Sequence, residues 1–224
     1  MNDQLYTDRR QAGAELATRL SALEGSDVLI LGLPRGGVPV AYEVARSLRV
    51  PLDVLVVRKL GVPGHRELAM GAIASGNSLF LDADTIAWYR IPKTAVEAVA
   101  QEEQAELLRR EQTYREGRPP ARIRDRVVVL IDDGLATGST MKAAVQAVRA
   151  QEAARIVVAA PVGAPGTCRQ FTTLVDDIVC ARMPEYFGSV GQWYRDFSQT
   201  TDEEVRELLR DNLDQSWCRP SGLP

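Results

Sequence analysis

The residues best suited to chemistry in this 224-residue chain lie in one run, Val127-Val128-Val129-Leu130-Ile131-Asp132-Asp133-Gly134-Leu135-Ala136-Thr137-Gly138-Ser139-Thr140. An apolar strand ends in two acids, and a loop of small and hydroxylated residues leads into an amphipathic helix. Unpaired N–H groups in a Gly/Ser/Thr turn at a helix start attract a phosphate dianion, and the helix dipole adds to the attraction. Gly134 and Gly138 let the main chain approach the anion closely. Thr137, Ser139 and Thr140 add hydroxyl donors. Two carboxylates beside such a nest would repel the phosphate itself, but they suit hydroxyl groups a short distance away. A vicinal diol next to a phosphate is a ribose 5-phosphate.

The run resembles the signature of the type I phosphoribosyltransferases: four apolar residues, two acids, then a small-residue Thr-Gly loop. That resemblance implies that Asp132 and Asp133 hold the ribose 2′- and 3′-hydroxyls. It also implies that Gly134, Leu135, Ala136, Thr137, Gly138, Ser139 and Thr140 cradle the 5′-phosphate of phosphoribosyl pyrophosphate (PRPP). Other phosphate motifs fit worse. A P-loop needs one more residue between its glycines and a lysine where Ser139 stands. The turn Gly32-Leu33-Pro34-Arg35-Gly36-Gly37 does not follow the dinucleotide fingerprint.

Three weaker elements join the main motif. Pro34-Arg35-Gly36-Gly37 ends the first predicted strand and opens a helix, where the family has a pyrophosphate-binding loop. By resemblance Arg35, Gly36 and Gly37 contact pyrophosphate. Arg58-Lys59 follows the second strand. Departing pyrophosphate carries several negative charges, so cations are needed there; Lys59 is the preferred residue and Arg58 the second. Asp132, Asp133, Lys59 and Arg35 form the candidate catalytic set. The stretch Gly61–Gly76, with His65, reads as a flexible hood or lid that excludes water. Five aromatics, Tyr186, Phe187, Trp193, Tyr194 and Phe197, follow the last strand, where family members build the nucleobase pocket. Tyr186, Phe187 and Trp193 are the stacking candidates.

The resemblance implies a Mg2+-dependent displacement at ribose C1, in which a nitrogen acceptor, expected to be a nucleobase, replaces pyrophosphate. The transition state would have oxocarbenium character. Mg2+ would be held mainly by the substrate, with Asp132 and Asp133 as its protein candidates. One departure stands out. Members acting on 6-oxopurines usually carry an acid directly before the Thr-Gly pair, and here that position is Ala136. The alternative to an enzyme is a non-catalytic PRPP-sensing regulator of the same fold. Arg35 and Lys59 beside the acids favour catalysis.

These residues need a scaffold. Five apolar runs, Val28–Leu31, Val54–Val57, Val127–Ile131, Ile156–Ala160 and Ile178–Cys180, are continuous rather than alternating, as strands covered on both faces are. Helical spacing lies between them, in Val38, Ala41, Tyr42 and Ala45 and in Met141, Ala144, Val145 and Val148. The expected fold class is α/β: a doubly wound, mainly parallel five-stranded sheet flanked by helices. A single domain over 1–224 is expected. Its core lies at about 27–60 and 127–181, a hood and helical excursion at 61–126, and an aromatic flap and helix at 182–214. An N-terminal stripe (Ala12, Leu16, Leu20, Leu23) and a capping box at Thr201 and Glu204 before Val205, Leu208, Leu209 and Leu213 predict flanking helices. Lys93–Tyr114 predicts a polar helix with Glu106–Arg110 and Glu111–Arg115 pairs. The tail from Gln215 is expected to be poorly ordered.

Composition narrows the function classes. The chain is 45% hydrophobic and 25% charged, average for a globular protein. Folding at this length buries roughly 70% of the surface, enough for a full core. With 27 Lys+Arg against 30 Asp+Glu, and no basic run, binding to duplex nucleic acid is not expected. Cys168, Cys180 and Cys218 are too few and too scattered for a disulfide framework or a zinc site. No apolar run is long enough to span a bilayer, and the first residues lack a signal peptide's hydrophobic segment. A cytoplasmic setting, no membrane partner and a homodimer bridged through the polar helix are the remaining expectations.

Overall fold

The computed structural model describes residues 5–24, 27–76 and 78–215. The tail beyond Gln215, with Cys218, lies outside the described residues. The Val/Ile runs form an all-parallel sheet of β1 (Val28–Gly32), β2 (Leu52–Val54), β6 (Val127–Ile131), β7 (Arg155–Val162) and β8 (Asp177–Arg182), in the order β2-β1-β6-β7-β8. The continuous apolar sequence is explained by two covered faces. Alternate residues Ile30, Val129 and Val157 pack with α2 (Gly37–Leu48) and with Leu16 of α1 (Arg9–Arg19). Their neighbours Leu29, Leu31, Val128, Leu130 and Val158 pack with α5 (Ser139–Ala150) and α6 (Pro165–Phe171). The period of two along each strand produces both cores at once.

Register between β1 and β6 runs without slip from Val28 opposite Val127 to Gly32 opposite Ile131. The two strands therefore end side by side. The winding also reverses here: β2 lies beyond β1, and β7 and β8 lie beyond β6. Open parallel sheets leave a crevice at the carboxyl ends of strands at such a reversal. Both candidate loops, at residues 34–37 and 132–140, start at this point.

The Gly-rich excursion after β2 is built on a second, smaller sheet. β3 (Val57–Val62), β4 (His65–Ala74) and β5 (Ser78–Leu81) pair antiparallel in that order. Gly61 belongs to strand packing: a β-carbon there would come within 2.8 Å of the Arg66 carbonyl on the facing strand. His65 is exposed at the start of β4, its ring 6.4 Å from that of Tyr89. Val57 thus belongs to the second sheet rather than to β2. After α3 (Ala83–Trp88), the polar helix is α4 (Lys93–Arg115), with Glu106–Arg110 and Glu111–Arg115 ion pairs at 2.7 and 3.0 Å. Arg115, at its end, is buried against Asp53 at 2.9 Å and donates to the Val54 carbonyl at 2.8 Å. This network fastens the excursion to β2.

The last helix, α7 (Asp202–Asp214), begins as the capping pattern predicts, with Thr201 Oγ1 accepting from the Glu204 amide at 3.1 Å. Val205, Leu208 and Leu209 are buried, whereas Leu213 is partly exposed. The cysteines depart from expectation. The β7–α6–β8 crossover brings Cys168 and Cys180 together as a disulfide, with Cα atoms 6.9 Å apart. Among the described residues, no helix is long and apolar enough to cross a membrane.

Candidate functional site

The crevice at the ends of β1 and β6 brings three segments into contact. Gly36 and Gly37, where the first loop opens α2, pack directly on the acid pair. A β-carbon on Gly36 would overlap the Asp133 carboxylate, and one on Gly37 would lie 2.6 Å from the Ile131 carbonyl and 2.9 Å from Asp132 Cα. The Pro34–Arg35 peptide is cis. The third segment follows β8: Val190 covers Gly134, and Tyr194 Oη donates to the Asp133 carbonyl at 2.6 Å. Val190 and residues 132–141 line an open pocket of about 210 Å3.

The phosphate-type loop is held open by its neighbours. Gly138 has φ 73°, a left-handed conformation that suits glycine, and caps α5. A β-carbon at Gly138 would press on Phe171 and Thr167 of α6, at 2.7 and 2.9 Å. Thr167 Oγ1 in turn donates to the Ala136 carbonyl at 2.5 Å. With that carbonyl turned toward α6, the amides of Ala136, Thr137, Gly138 and Thr140 have no acceptor among the described residues. Thr137 and Ser139 are exposed, their hydroxyls 3.2 Å apart.

Two residues expected to offer amides do not. The Leu135 N–H donates to the Val162 carbonyl at 2.8 Å, and its side chain is buried in the core. The Gly37 N–H donates to the Leu33 carbonyl at 3.0 Å. Leu135 anchors the loop to β7, and Gly37 supplies close packing. The amides of Arg35 and Gly36 have no acceptor among the described residues.

Each acid has one committed oxygen. Asp132 Oδ1 accepts from the Asp133 amide at 2.9 Å, and Asp133 Oδ2 accepts from Arg9 Nε at 2.9 Å. Among the described residues, Asp132 Oδ2 and Asp133 Oδ1 have no hydrogen-bond partner. Burial, reinforced by the neighbouring Asp133, pushes the Asp132 carboxyl well above the ordinary carboxylate range. Burial also raises Asp133, against the pull of the Arg9 guanidinium. Burial raises the Tyr194 phenol, so it is a hydrogen-bond donor at neutral pH.

The basic residues divide. Arg58 is tied to Glu103 of α4 at 2.6 Å, so it braces the excursion. Lys59, its exposed neighbour on β3, makes no ion pair among the described residues and shares a cavity wall with Ser139 and Lys142. Arg35 is partly exposed and 3.8 Å from Asp202 at the start of α7. The aromatic flap divides too. Trp193 is only 8% exposed, in a cluster with Tyr6, Ala12, Val162 and Tyr194, which corrects its assignment as a stacking residue. Phe187 packs against this cluster, whereas Tyr186 is 84% exposed.

Sequence reasoning missed Arg9, Val190 and Thr167. Nothing in their local patterns points to the loop; they reach it only through the packing of α1, the flap and α6.

The family model for the phosphoribosyl transferase domain matches residues 1–173. The Mycobacterium tuberculosis protein Rv0571c, named provisionally as a phosphoribosyl transferase, is 48% identical over 205 residues, which is 92% of this chain and 46% of that protein. The corresponding protein of a second M. tuberculosis strain, MT0597, matches equally. The chain therefore spans about half the length of the curated relatives it matches. The crystal structure of TT1426 from Thermus thermophilus superposes with a TM-score of 0.81 at 41% identity, covering 92% of this chain and 98% of that one.

Proposed function

Because the chain belongs to the phosphoribosyl transferase family, we propose that it transfers the 5-phosphoribosyl group of PRPP to a nitrogen acceptor, a nucleobase, with release of pyrophosphate. The observation that carries this reading is the juxtaposition of a loop whose Ala136, Thr137, Gly138 and Thr140 amides, and a half-buried acid pair two of whose oxygens, have no partner among the described residues. One is complementary to a phosphate, the other to a diol beside it.

In this reading the amides of Ala136, Thr137, Gly138 and Thr140, with the Thr137 and Ser139 hydroxyls, bind the 5′-phosphate. Asp132 Oδ2 and Asp133 Oδ1 accept from the ribose hydroxyls. Their negative charge lies near the C1 region, where positive charge develops. The free amides of Arg35 and Gly36 and the side chains of Arg35 and Lys59 receive the pyrophosphate as it gains charge. Two carboxylate oxygens fit a hard divalent cation such as Mg2+, which prefers oxygen and keeps several waters. Among the described residues there is no cluster of three or more His, Cys, Asp or Glu that could hold a metal, so substrate oxygens would complete the shell. When bound, the ion would neutralise charge on the departing pyrophosphate. Asp132 and Asp133 are its candidate protein contacts. Tyr186, exposed on the flap after β8, is the stacking residue in this reading. We also assign the protein to the cytoplasm and to a homodimer.

The test is pyrophosphate release from PRPP across a complete nucleobase panel with Mg2+. Release with one base supports transfer. Tight PRPP binding without release from any base overturns it and leaves a PRPP-sensing role.

A further inference from the structure

Arg9 is 124 residues from Asp133 in the chain, yet its Nε lies 2.9 Å from Asp133 Oδ2. Its side chain is 11% exposed and held on two further sides. Nη1 donates to the Ser198 carbonyl at 2.7 Å, and the guanidinium carbon sits 4.0 Å from the centre of the Phe197 ring. The same Asp133 oxygen fills the space that a β-carbon on Gly36 would need, a position 3.3 Å from Arg9 Nε.

A carboxylate can rotate and present either oxygen. Here Oδ2 is wedged between Arg9 and the Gly36 backbone, so Oδ1 is the oxygen left for a ligand. Asp132, directly alongside, would otherwise repel Asp133 or force a shared proton. We propose that Arg9 is a positioning residue for the sugar subsite: it orients Asp133 so that Oδ1 accepts from a ribose hydroxyl, and it ties that acid to the segment Tyr194–Ser198. The inference rests on reading Asp132 and Asp133 as the diol-binding pair. Its chemistry requires arginine. Three fixed contacts use the planar fork and its stacking face, which an ammonium cannot reproduce.

The test compares ribose 5-phosphate with 2,3-dideoxyribose 5-phosphate by titration calorimetry on the whole chain with Mg2+. Wild type should prefer the diol-bearing sugar by about tenfold or more, the equivalent of one good charged hydrogen bond. Arg9→Ala and Arg9→Gln should bring that preference down to about threefold or less, leaving the dideoxy affinity unchanged, because the phosphate loop does not touch Arg9. Arg9→Lys should behave like them. Retention of the wild-type preference in these variants overturns the inference. An equal loss of both affinities also overturns it, because that marks general structural support. If Arg9→Ala does not fold, Arg9→Lys decides: full preference with lysine removes the positioning role. Absence of any preference in wild type rejects the reading of the acid pair, and the inference with it; preference in wild type that survives in the variants rejects the inference alone.

Discussion

The α-carbon of Gly36 faces the carboxylate of Asp133 so closely that no side chain, not even a methyl group, fits between them. The loop after β1 and the loop after β6 are thus parts of one surface, created by two parallel strands that end in register. Gly36→Ala should push the Asp133 carboxylate aside. Overpacking of this kind costs about 1–3 kcal/mol of stability. PRPP affinity should fall about tenfold or more, a larger effect than the change in denaturation midpoint accounts for. Calorimetric titration alongside urea unfolding checks both.

Asp132→Asn separates stability from function. Asp132 is raised above its ordinary value of 3.8, chiefly by burial. The native state therefore holds more protons than the unfolded chain above that pH, and stability falls as pH rises. Asparagine removes this penalty. The variant should melt higher than wild type at about pH 8, by roughly 2–4 °C for each kcal/mol relieved, and the gap should close toward about pH 4. With Asp133→Asn added, the Mg2+-dependent thermal shift given by PRPP should vanish. An unchanged shift would refute the site.

Adjacent basic residues should fail differently. Lys59→Ala, at an exposed position, should leave stability within about 0.5 kcal/mol and reduce turnover by about 10- to 100-fold, the range for one lost charged contact. Arg58→Ala breaks the Glu103 pair and should cost up to about 1 kcal/mol with little effect on turnover. Steady-state rates and melting curves on both variants decide the assignment.

Arg115→Ala leaves Asp53 buried without its guanidinium. Removing one partner of such a pair costs about 3–5 kcal/mol. The Ala121 amide, which donates to Asp53 at 2.8 Å, does not replace it. Urea denaturation should show the full loss; a change under about 1 kcal/mol would mean that the network is not what fastens α4 to β2.

The five parallel strands were legible because unbroken Val/Ile runs such as Val127–Ile131 have one physical use, burial on both faces. The acid pair and loop were legible because their residue types follow one another in the chain. Long-range partners were not. That Leu135 gives its amide to Val162 depends on where β7 lies, which composition does not encode. The Gly-rich excursion showed no strand pattern because glycine serves both mobility and close strand approach; at Gly61 the second use is visible in its contact with Arg66. Arg9 carries no local signal in the sequence, and only the packing of α1 beside the flap reveals its partner. Trp193 shared its aromatic cluster with Tyr186, and no local pattern told the buried ring from the open one.

Tyr6 donates its amide to the Trp193 carbonyl at 2.9 Å, and its own carbonyl accepts from the Arg195 amide at 2.8 Å. This short seam joins the segment before α1 to the segment after β8, beside Asp133. Every strand of the parallel sheet, ending with β8 at Arg182, is synthesised before Trp193, so the sheet can assemble before the seam closes over the crevice. The same seam makes ligand capture an early casualty of damage: opening it would loosen the Tyr194 contact to Asp133 while leaving every strand pairing of the central layer in place.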